Sequence, residues 1–440
     1  MRATFVFPLL ALAACTAAGI PRPAATPNES AAERPRPYPV FETRAFQRAV
    51  ENGTRTRTGM PGPRYWQQRA RYRLAAELDP DTRRVSGSGV VRYENHSPDT
   101  LALVAVRLYQ NLYAPNAVRN EEVPVTGGMA LSRVVAQGRA LAPRARPVSV
   151  RDSAPGWSLD GTTAWLRLPT PLAPGASADF EFRWSFVLPP DGAPREGTDG
   201  EIYYVAYWYP QIAVYDDVSG WQTDPYMANA EFYMGYGDYD VALTVPEGWL
   251  VAATGRLANA DEVLPPAQRE RLARARRTGE IVHVVAEDER GAGAGTVRAP
   301  ASAKGRLTWR FAARGVRDFA WGTSDRYLWD ATRALAADSA SSGSGGGDTV
   351  MIHSFYRPER RDWAWDRSAA YVRHSIEFLS RYLWPYPWPQ MTAVDGVVSC
   401  SGMEYPMMTC IGGRRDTLSL YSVTVHETAH MWFPMQVGSD

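Results

Sequence analysis

The chain has 440 residues, of which 45% are hydrophobic and 22% are charged. This length exceeds what one hydrophobic core usually serves, so we expect two domains. The 48 basic and 47 acidic residues nearly cancel, leaving a net charge of +1. That balance gives no electrostatic basis for binding nucleic acid, and we expect no partner of that class.

The N-terminus has the features of an export signal. The stretch MRATFVFPLLALAAC combines a positive charge at Arg2 with an apolar run over residues 5–14 that is too short for a stable membrane anchor. Its end, LAAC, resembles a bacterial lipobox, which predicts that Cys15 is lipidated and becomes the mature N-terminus. The alternative is an ordinary signal peptide with an incidental cysteine. We expect an exported lipoprotein, periplasmic or at the cell surface.

Residues 16–63 are predicted to be a tether and N-terminal extension. The part over 16–40 is rich in Pro and Ala, a composition that cannot bury a core. Beyond the signal only Cys400 and Cys410 remain. In an exported protein they could form a disulfide or stay as two buried thiols, and the sequence leaves both possibilities open.

Period-two hydrophobic patterns recur over residues 64–337. One alternating set is Ala70, Tyr72, Leu74, Ala76 and Leu78, and the stretch ADFEFRWSF supplies another in Phe180, Phe182, Trp184 and Phe186. Further strand patterns cover 85–95, 101–108, 163–168 and 239–245, bounded by turn residues. The charged segment 265–278 is expected to be an exposed short helix or loop. Together these patterns predict an antiparallel, sandwich-like β domain.

The character of the chain changes after DSASSGSGGGD, residues 338–348, which we interpret as a flexible linker. TVMIHSFY then predicts a strand. Apolar residues spaced by three or four predict a helix that ends before Pro385, namely Ala369, Val372, Ile376, Leu379 and Leu383. Alternating strand and helix predict a mixed α/β domain over 349–440.

His426, Glu427 and His430 form the pattern H-E-x-x-H. Residues four apart lie on one face of a helix, so the two imidazoles can bind one ion. The flanking residues predict a helix that ends at Phe433, before Pro434. Zinc suits imidazole ligands, and a glutamate beside the first ligand suits the general base that activates water. The alternative is a chance pair of surface histidines. The other four histidines are expected to be surface or core residues.

The stretch SGMEYP, with Glu404 22 residues before His426, resembles the G-x-M-E-N motif of the gluzincin aminopeptidases, the family of alanyl and puromycin-sensitive aminopeptidases and leukotriene hydrolase. Tyr405 replaces the usual Asn. The resemblance implies that Glu404 binds the free α-amine of a peptide and that Gly402 and Met403 lie along the substrate. It extends over residues 64–440 through RYRLAAELDPDTRRVSGSGVVRYENHS and YWYPQIAVYDDVSGW. A second amine anchor from the β domain stays unassigned.

The resemblance implies a saddle-like β domain followed by the first part of a thermolysin-like catalytic domain that cleaves N-terminal peptide bonds with zinc. The third ligand of such enzymes is a glutamate roughly eighteen residues after the second histidine, past Asp440. Asp440 itself is the less favoured substitute. We therefore expect an inactive fragment of a longer enzyme. Two alternatives remain: a non-catalytic surface lipoprotein that binds through an incomplete zincin scaffold, or a zinc endopeptidase.

Overall fold

The computed structural model describes residues 41–190, 195–230, 233–290, 295–336 and 349–438. Cys15, Asp440 and the predicted linker 338–348 lie outside these ranges, as does the Pro-rich part of the predicted tether. None of the helices within them has the length and hydrophobicity needed to span a membrane.

The strands are β1 (Arg69–Asp79), β2 (Arg84–Glu94), β3 (Leu101–Arg107), β4 (Ala130–Ala136), β5 (Arg139–Ala140), β6 (Gly156–Asp160), β7 (Thr163–Leu172), β8 (Ser177–Val187), β9 (Gly197–Thr198), β10 (Tyr203–Val205), β11 (Gln211–Ile212), β12 (Tyr215–Asp216), β13 (Gly220–Trp221), β14 (Gly237–Pro246), β15 (Leu250–Ala253), β16 (Arg256–Leu257), β17 (Val282–Val285), β18 (Arg306–Val316), β19 (Trp321–Ser324), β20 (Leu328–Leu335), β21 (Thr349–Tyr356), β22 (Gln390–Asp395), β23 (Met403–Tyr405) and β24 (Met408–Ile411). The α-helices are α1 (Arg44–Glu51), α2 (Ala260–Val263), α3 (Pro266–Thr278), α4 (Ser368–Tyr382) and α5 (Thr417–Ala429).

An eight-stranded sheet dominates the first part of the chain, in the order β16-β18-β14-β1-β2-β8-β4-β5. The alternation predicted for β1 and β8 is confirmed, because all nine apolar residues listed from the sequence are buried. Their aromatic rings pack on the segment between β10 and β11, where Tyr72 contacts Tyr209 and Trp184 contacts Trp208. This region also contains two four-stranded sheets, β15-β19-β10-β9 and β11-β3-β7-β6, and the two-stranded sheet β12-β13.

The prediction of a purely antiparallel arrangement is wrong at one pair. β1 pairs with β14 in parallel, with Ala70 opposite Gly237, while the other neighbours in this sheet are antiparallel. The hairpin partner β2 occupies one edge of β1. The other edge is filled by a strand that arrives after a long crossover, and such a connection permits a parallel pair.

The second large sheet has six strands in the order β17-β20-β21-β22-β24-β23. β20 and β21 form an antiparallel pair in which Leu335 lies opposite Thr349. Strands on both sides of residues 338–348 therefore belong to one sheet. The division of the chain into domains stays a prediction. β17 and β20, which lie within the predicted β domain 64–337, are part of this sheet. A Gly/Ser-rich stretch is equally typical of a hairpin loop and of a linker, so its composition could not distinguish the two.

Two helices lie against each other beside the six-stranded sheet. α4 ends at Tyr382, before Pro385 as predicted, and packs on β20, β21 and α5. α5 begins after Asp416, whose carboxylate accepts a hydrogen bond from the Ser419 N–H. The predicted helix end at Phe433 is wrong, because α5 ends at Ala429 with His430 as its C-cap. The chain then turns. Pro434 disfavours helical backbone at the residue before it, Phe433.

Candidate metal centre

The two histidines of the H-E-x-x-H pattern converge at the C-terminal end of α5. The Nε2 atoms of His426 and His430 lie 3.2 Å apart. Two imidazole ligands about 2.05 Å from zinc at a tetrahedral angle place their nitrogens about 3.3 Å apart. The Nδ1 atom of His430 lies 2.8 Å from the Phe433 carbonyl oxygen. If Nδ1–H donates to that carbonyl, Nε2 keeps a lone pair for a metal.

Two buried carboxyl groups accompany the histidine pair. Glu427 lies on α5 and Glu404 on β23, with 3% and 4% of each residue exposed. Glu404, Glu427 and His430 each place one possible ligand atom within 4.8 Å of the others, and Glu404 Oε1 is 4.0 Å from His430 Nδ1. Two carboxylates so close together repel each other, and a divalent cation would offset that charge. The donor set therefore fits zinc.

Glu404 owes its position to the edge of the six-stranded sheet. β23 is the last strand in the order and pairs antiparallel with β24, where Glu404 lies opposite Thr409. Side chains alternate along a strand, so Glu404 points away from its neighbours Met403 and Tyr405. Cys400 and Cys410 form a disulfide that links the turn before β23 to β24. Of the two possibilities left open by the sequence, the structure has the disulfide.

Gly402 packs directly against the proposed base. A Cβ atom at this position would lie 2.3 Å from Glu427 Oε1 and 2.8 Å from Val423 Cγ2. No side chain fits there without displacing Glu427. The structure thus brings Gly402 and Glu404 next to the H-E-x-x-H residues, and it gives Gly402 a packing role that the sequence did not show.

Sequence reasoning missed two buried charged residues from the β-rich part of the chain. Arg195 and Asp318 line a cleft together with Glu404, Tyr207 and other residues. The Arg195 guanidinium stacks 5.3 Å from the centre of the Tyr207 ring, and its Nη1 lies 2.6 Å from Met403 Sδ. Burial opposes the charge on Arg195, yet Tyr207, Tyr405 and Glu404 hold its pKa above the usual range. Neither residue belongs to a recognisable motif, so no local signal could have identified them.

The Asp318 side chain is a buried acid in the same cleft. Burial raises the pKa of this carboxyl to about 6, although the Tyr209 hydroxyl donates to it at 2.7 Å and opposes the shift. The cleft therefore holds two carboxyl groups, Glu404 and Asp318, and two guanidinium groups, Arg195 and Arg317.

The other four histidines take no part in the centre. Each has a hydrogen-bond or ion-pair partner elsewhere: His96 with Gln67, His283 with Asp330, His353 with Trp329 and His374 with Tyr421.

No protein-family model matches the chain, and no curated protein matches it. Among solved structures, the chain is similar to the M1 zinc metallopeptidase from Deinococcus radiodurans, with 15% identity, a TM-score of 0.47, and coverage of 84% of this chain and 65% of that chain. A mutant of the Deinococcus radiodurans enzyme bound to a Tyr-Ser-Ala substrate matches at 14% identity and a TM-score of 0.47, covering 86% of this chain and 67% of that one. A two-domain M1 zinc metallopeptidase mutant bound to L-tryptophan matches at 14% identity and a TM-score of 0.47, covering 86% of this chain and 68% of that one. The chain thus spans 65% of the length of the first of these structures.

Proposed function

We propose that the protein is a zinc-dependent aminopeptidase, which removes the N-terminal residue of peptides. The observation that carries this proposal is the 3.2 Å spacing of the His426 and His430 Nε2 atoms beside the buried carboxyl group of Glu427. His426 is exposed, so a metal held by this pair is open to substrate. When bound, zinc supplies a Lewis acid that polarises a peptide carbonyl and acidifies water.

Glu427 is the proposed general base. It follows the first histidine on α5, and its carboxyl group is held in place by the close approach of Gly402. A carboxylate in this position can accept a proton from the attacking water and return it to the leaving amine.

Glu404 and the strand that carries it are the proposed substrate site. A carboxylate binds an α-ammonium group strongly, and β23, as the last strand of its sheet, has an edge that can pair with an extended peptide backbone. Glu404 Oε1 lies 4.0 Å from the His430 ring. This short distance between amine site and histidine pair suits a single amino acid before the scissile bond.

We also propose that the protein is exported and anchored to a bacterial membrane through lipid on Cys15, on the evidence of the N-terminal sequence. A Cys15→Ser variant should move from the membrane fraction to the soluble fraction of the cell. Retention in the membrane fraction would show that another part of the protein holds it there.

The test of the enzymatic proposal uses the full-length gene product that contains this sequence, assayed on matched peptides with a free or an acetylated N-terminus. Glu427→Gln should lower turnover by at least about 1000-fold with zinc content unchanged, because only the proton carrier is lost. Glu404→Gln should raise KM for free-amine peptides while leaving activity on acetylated ones unaffected. Glu51→Gln, an exposed change at the end of α1, is the matched control.

The outcomes separate the alternatives. Equal activity of the unmodified protein on free and acetylated peptides would indicate an endopeptidase. Stoichiometric zinc with no hydrolysis of either peptide would indicate a non-catalytic binding module.

A further inference from the structure

An apolar cavity lies between the six-stranded sheet and the β-rich part of the chain, and we call it the sheet cavity. Its volume is about 290 Å³, and it is partly open to solvent. Its apolar walls include Leu257, Leu272, Phe311, Trp329, Met351 and Phe355. None of the metal-centre residues lines it.

The sheet cavity lies on the side of the sheet that faces away from α4. Ser354 on β21 hydrogen-bonds to Ser368 at the start of α4. Side chains alternate along a strand, so His353 and Phe355 face the other way, toward β15 and α3. The cavity and the metal centre therefore occupy separate parts of the same sheet.

The inner wall of the sheet cavity carries no charge. Trp329 stacks on Phe355 with ring centres 4.9 Å apart, and its Nε1–H donates to His353 Nδ1 at 3.2 Å. Burial lowers the pKa of His353 to about 4, so the imidazole is neutral at neutral pH. In that form the ring proton lies on Nε2. The interior thus suits an apolar group.

Two arginines complete the lining of the sheet cavity, Arg256 on β16 and Arg276 on α3, and both are exposed. Within the described ranges neither of them forms an ion pair. Other arginines of α3 do pair with acids, namely Arg271 with Glu289, Arg274 with Glu280 and Arg277 with Glu270. Arg269 of α3 also lacks an ion pair among the described residues, but it does not line the cavity, so Arg256 and Arg276 are the unpaired cations that border it.

We propose that the sheet cavity binds a fatty acid, with its chain against the apolar walls and its carboxylate between Arg256 and Arg276. An apolar chain gains by leaving water in proportion to the area it buries. A guanidinium group binds a carboxylate through paired, charge-assisted hydrogen bonds. A cavity of this size with few polar groups is typical of a small-molecule site. Because the two arginines repel cations, an amine of the same chain length is excluded.

The test measures binding to the full chain by isothermal titration calorimetry with decanoate, decylamine and decanol, each below its micelle concentration. Decanoate should bind at least tenfold more tightly than decanol, and decylamine should show no binding. Arg256→Gln combined with Arg276→Gln should weaken decanoate binding at least tenfold. Arg269→Gln should leave it unchanged, since Arg269 is exposed on the same helix but does not line the cavity.

A second variant tests the location. Ala273→Trp places a large ring at a lining position on α3 and should abolish decanoate binding, with circular dichroism and thermal unfolding confirming that each variant is folded. Three results would overturn the proposal: no decanoate binding, equal binding of decylamine, or undiminished decanoate binding by a folded variant with both arginines or Ala273 replaced.

Discussion

The two large sheets differ in where their polar residues lie, as one strand from each shows. In the eight-stranded sheet, β8 alternates strictly, with Phe180 buried and its neighbour Asp179 exposed to solvent. In the six-stranded sheet, all six residues of β22 are buried, including Gln390, Thr392 and Asp395. A sheet with one solvent-exposed face can keep its charged side chains in water. In a sheet covered on both faces, buried charged side chains need hydrogen-bond or ion-pair partners within the protein.

The buried acids of the six-stranded sheet show what this requirement produces. Asp395, 1% exposed, lies 2.7 Å from Arg357 Nε and 3.1 Å from Arg360 Nε. Glu404, on the edge strand of the same sheet, lies beside the histidine pair. In the first case the buried carboxylate connects β22 to the segment after β21 that carries Arg357 and Arg360. In the second it is placed where substrate and metal would meet.

The largest expected effect comes from removing the partner of two buried cations. Asp395→Ala removes the carboxylate that Arg357 and Arg360 share. Arg357 then keeps only more exposed partners, such as Asp199 and Glu201, and we expect a loss of about 3–5 kcal/mol in the free energy of unfolding. Denaturant titration measures it as a lower midpoint at unchanged slope.

The matched change in the eight-stranded sheet is Asp179→Ala. Its 3.4 Å pair with Arg92 is about half exposed on both sides, so solvent screening should limit the loss to less than about 1 kcal/mol. Similar losses from the two substitutions would contradict the distinction between the sheets.

The second prediction concerns pH. The pKa of Asp318 is raised to about 6 from its ordinary value of 3.8, so the folded protein holds this proton more tightly than the unfolded chain does. The stability from this group is fully present below about pH 4 and is lost as pH rises through 6. Asp318→Asn has no such proton. Its unfolding free energy relative to the unmodified protein should therefore rise by about 2–3 kcal/mol between pH 4 and pH 7.

Urea unfolding at a series of pH values measures this difference directly. A constant difference between the two proteins across the range would show that Asp318 titrates normally in the folded state.

The third prediction concerns activity and the addition of a single methyl group. Gly402→Ala puts a Cβ atom 2.3 Å from Glu427 Oε1, so the base must move. We expect kcat of the full-length gene product to fall by about 10- to 100-fold with zinc content unchanged, because misplacement of a catalytic group is costly.

Gly235→Ala is the control for that substitution. A Cβ atom there meets only Val214 Cγ2, at 3.9 Å, and should have no effect. Full activity of Gly402→Ala would show that Glu427 tolerates displacement or is not the base.

Local sequence patterns predicted the structure reliably where the geometry of one helix or strand alone sets the positions of the side chains. The alternation of apolar and polar residues in β1 and β8 predicted the buried faces correctly. Successive side chains of a strand point to opposite faces, so a repeat of two residues places all the apolar ones on one face. The H-E-x-x-H spacing brought two ring nitrogens together because helix geometry is the same everywhere.

Contacts between distant segments were decided only by the tertiary structure. Residues 338–348 looked like a linker, yet the strands on either side pair with each other. Arg195 and Asp318 meet Glu404 in one cleft although they are remote from it in sequence. The end of α5 at Ala429 depends on the turn that follows it.

The sequence by itself therefore determined the strands with one solvent-exposed face, the histidine pair and its neighbouring glutamates. These follow from the fixed side-chain periods of strands and helices. Only the tertiary structure decided which strands share a sheet, whether Cys400 and Cys410 form a disulfide and which charges surround the site. Those outcomes depend on packing and on the pairing of buried polar groups, and both are properties of the whole folded chain.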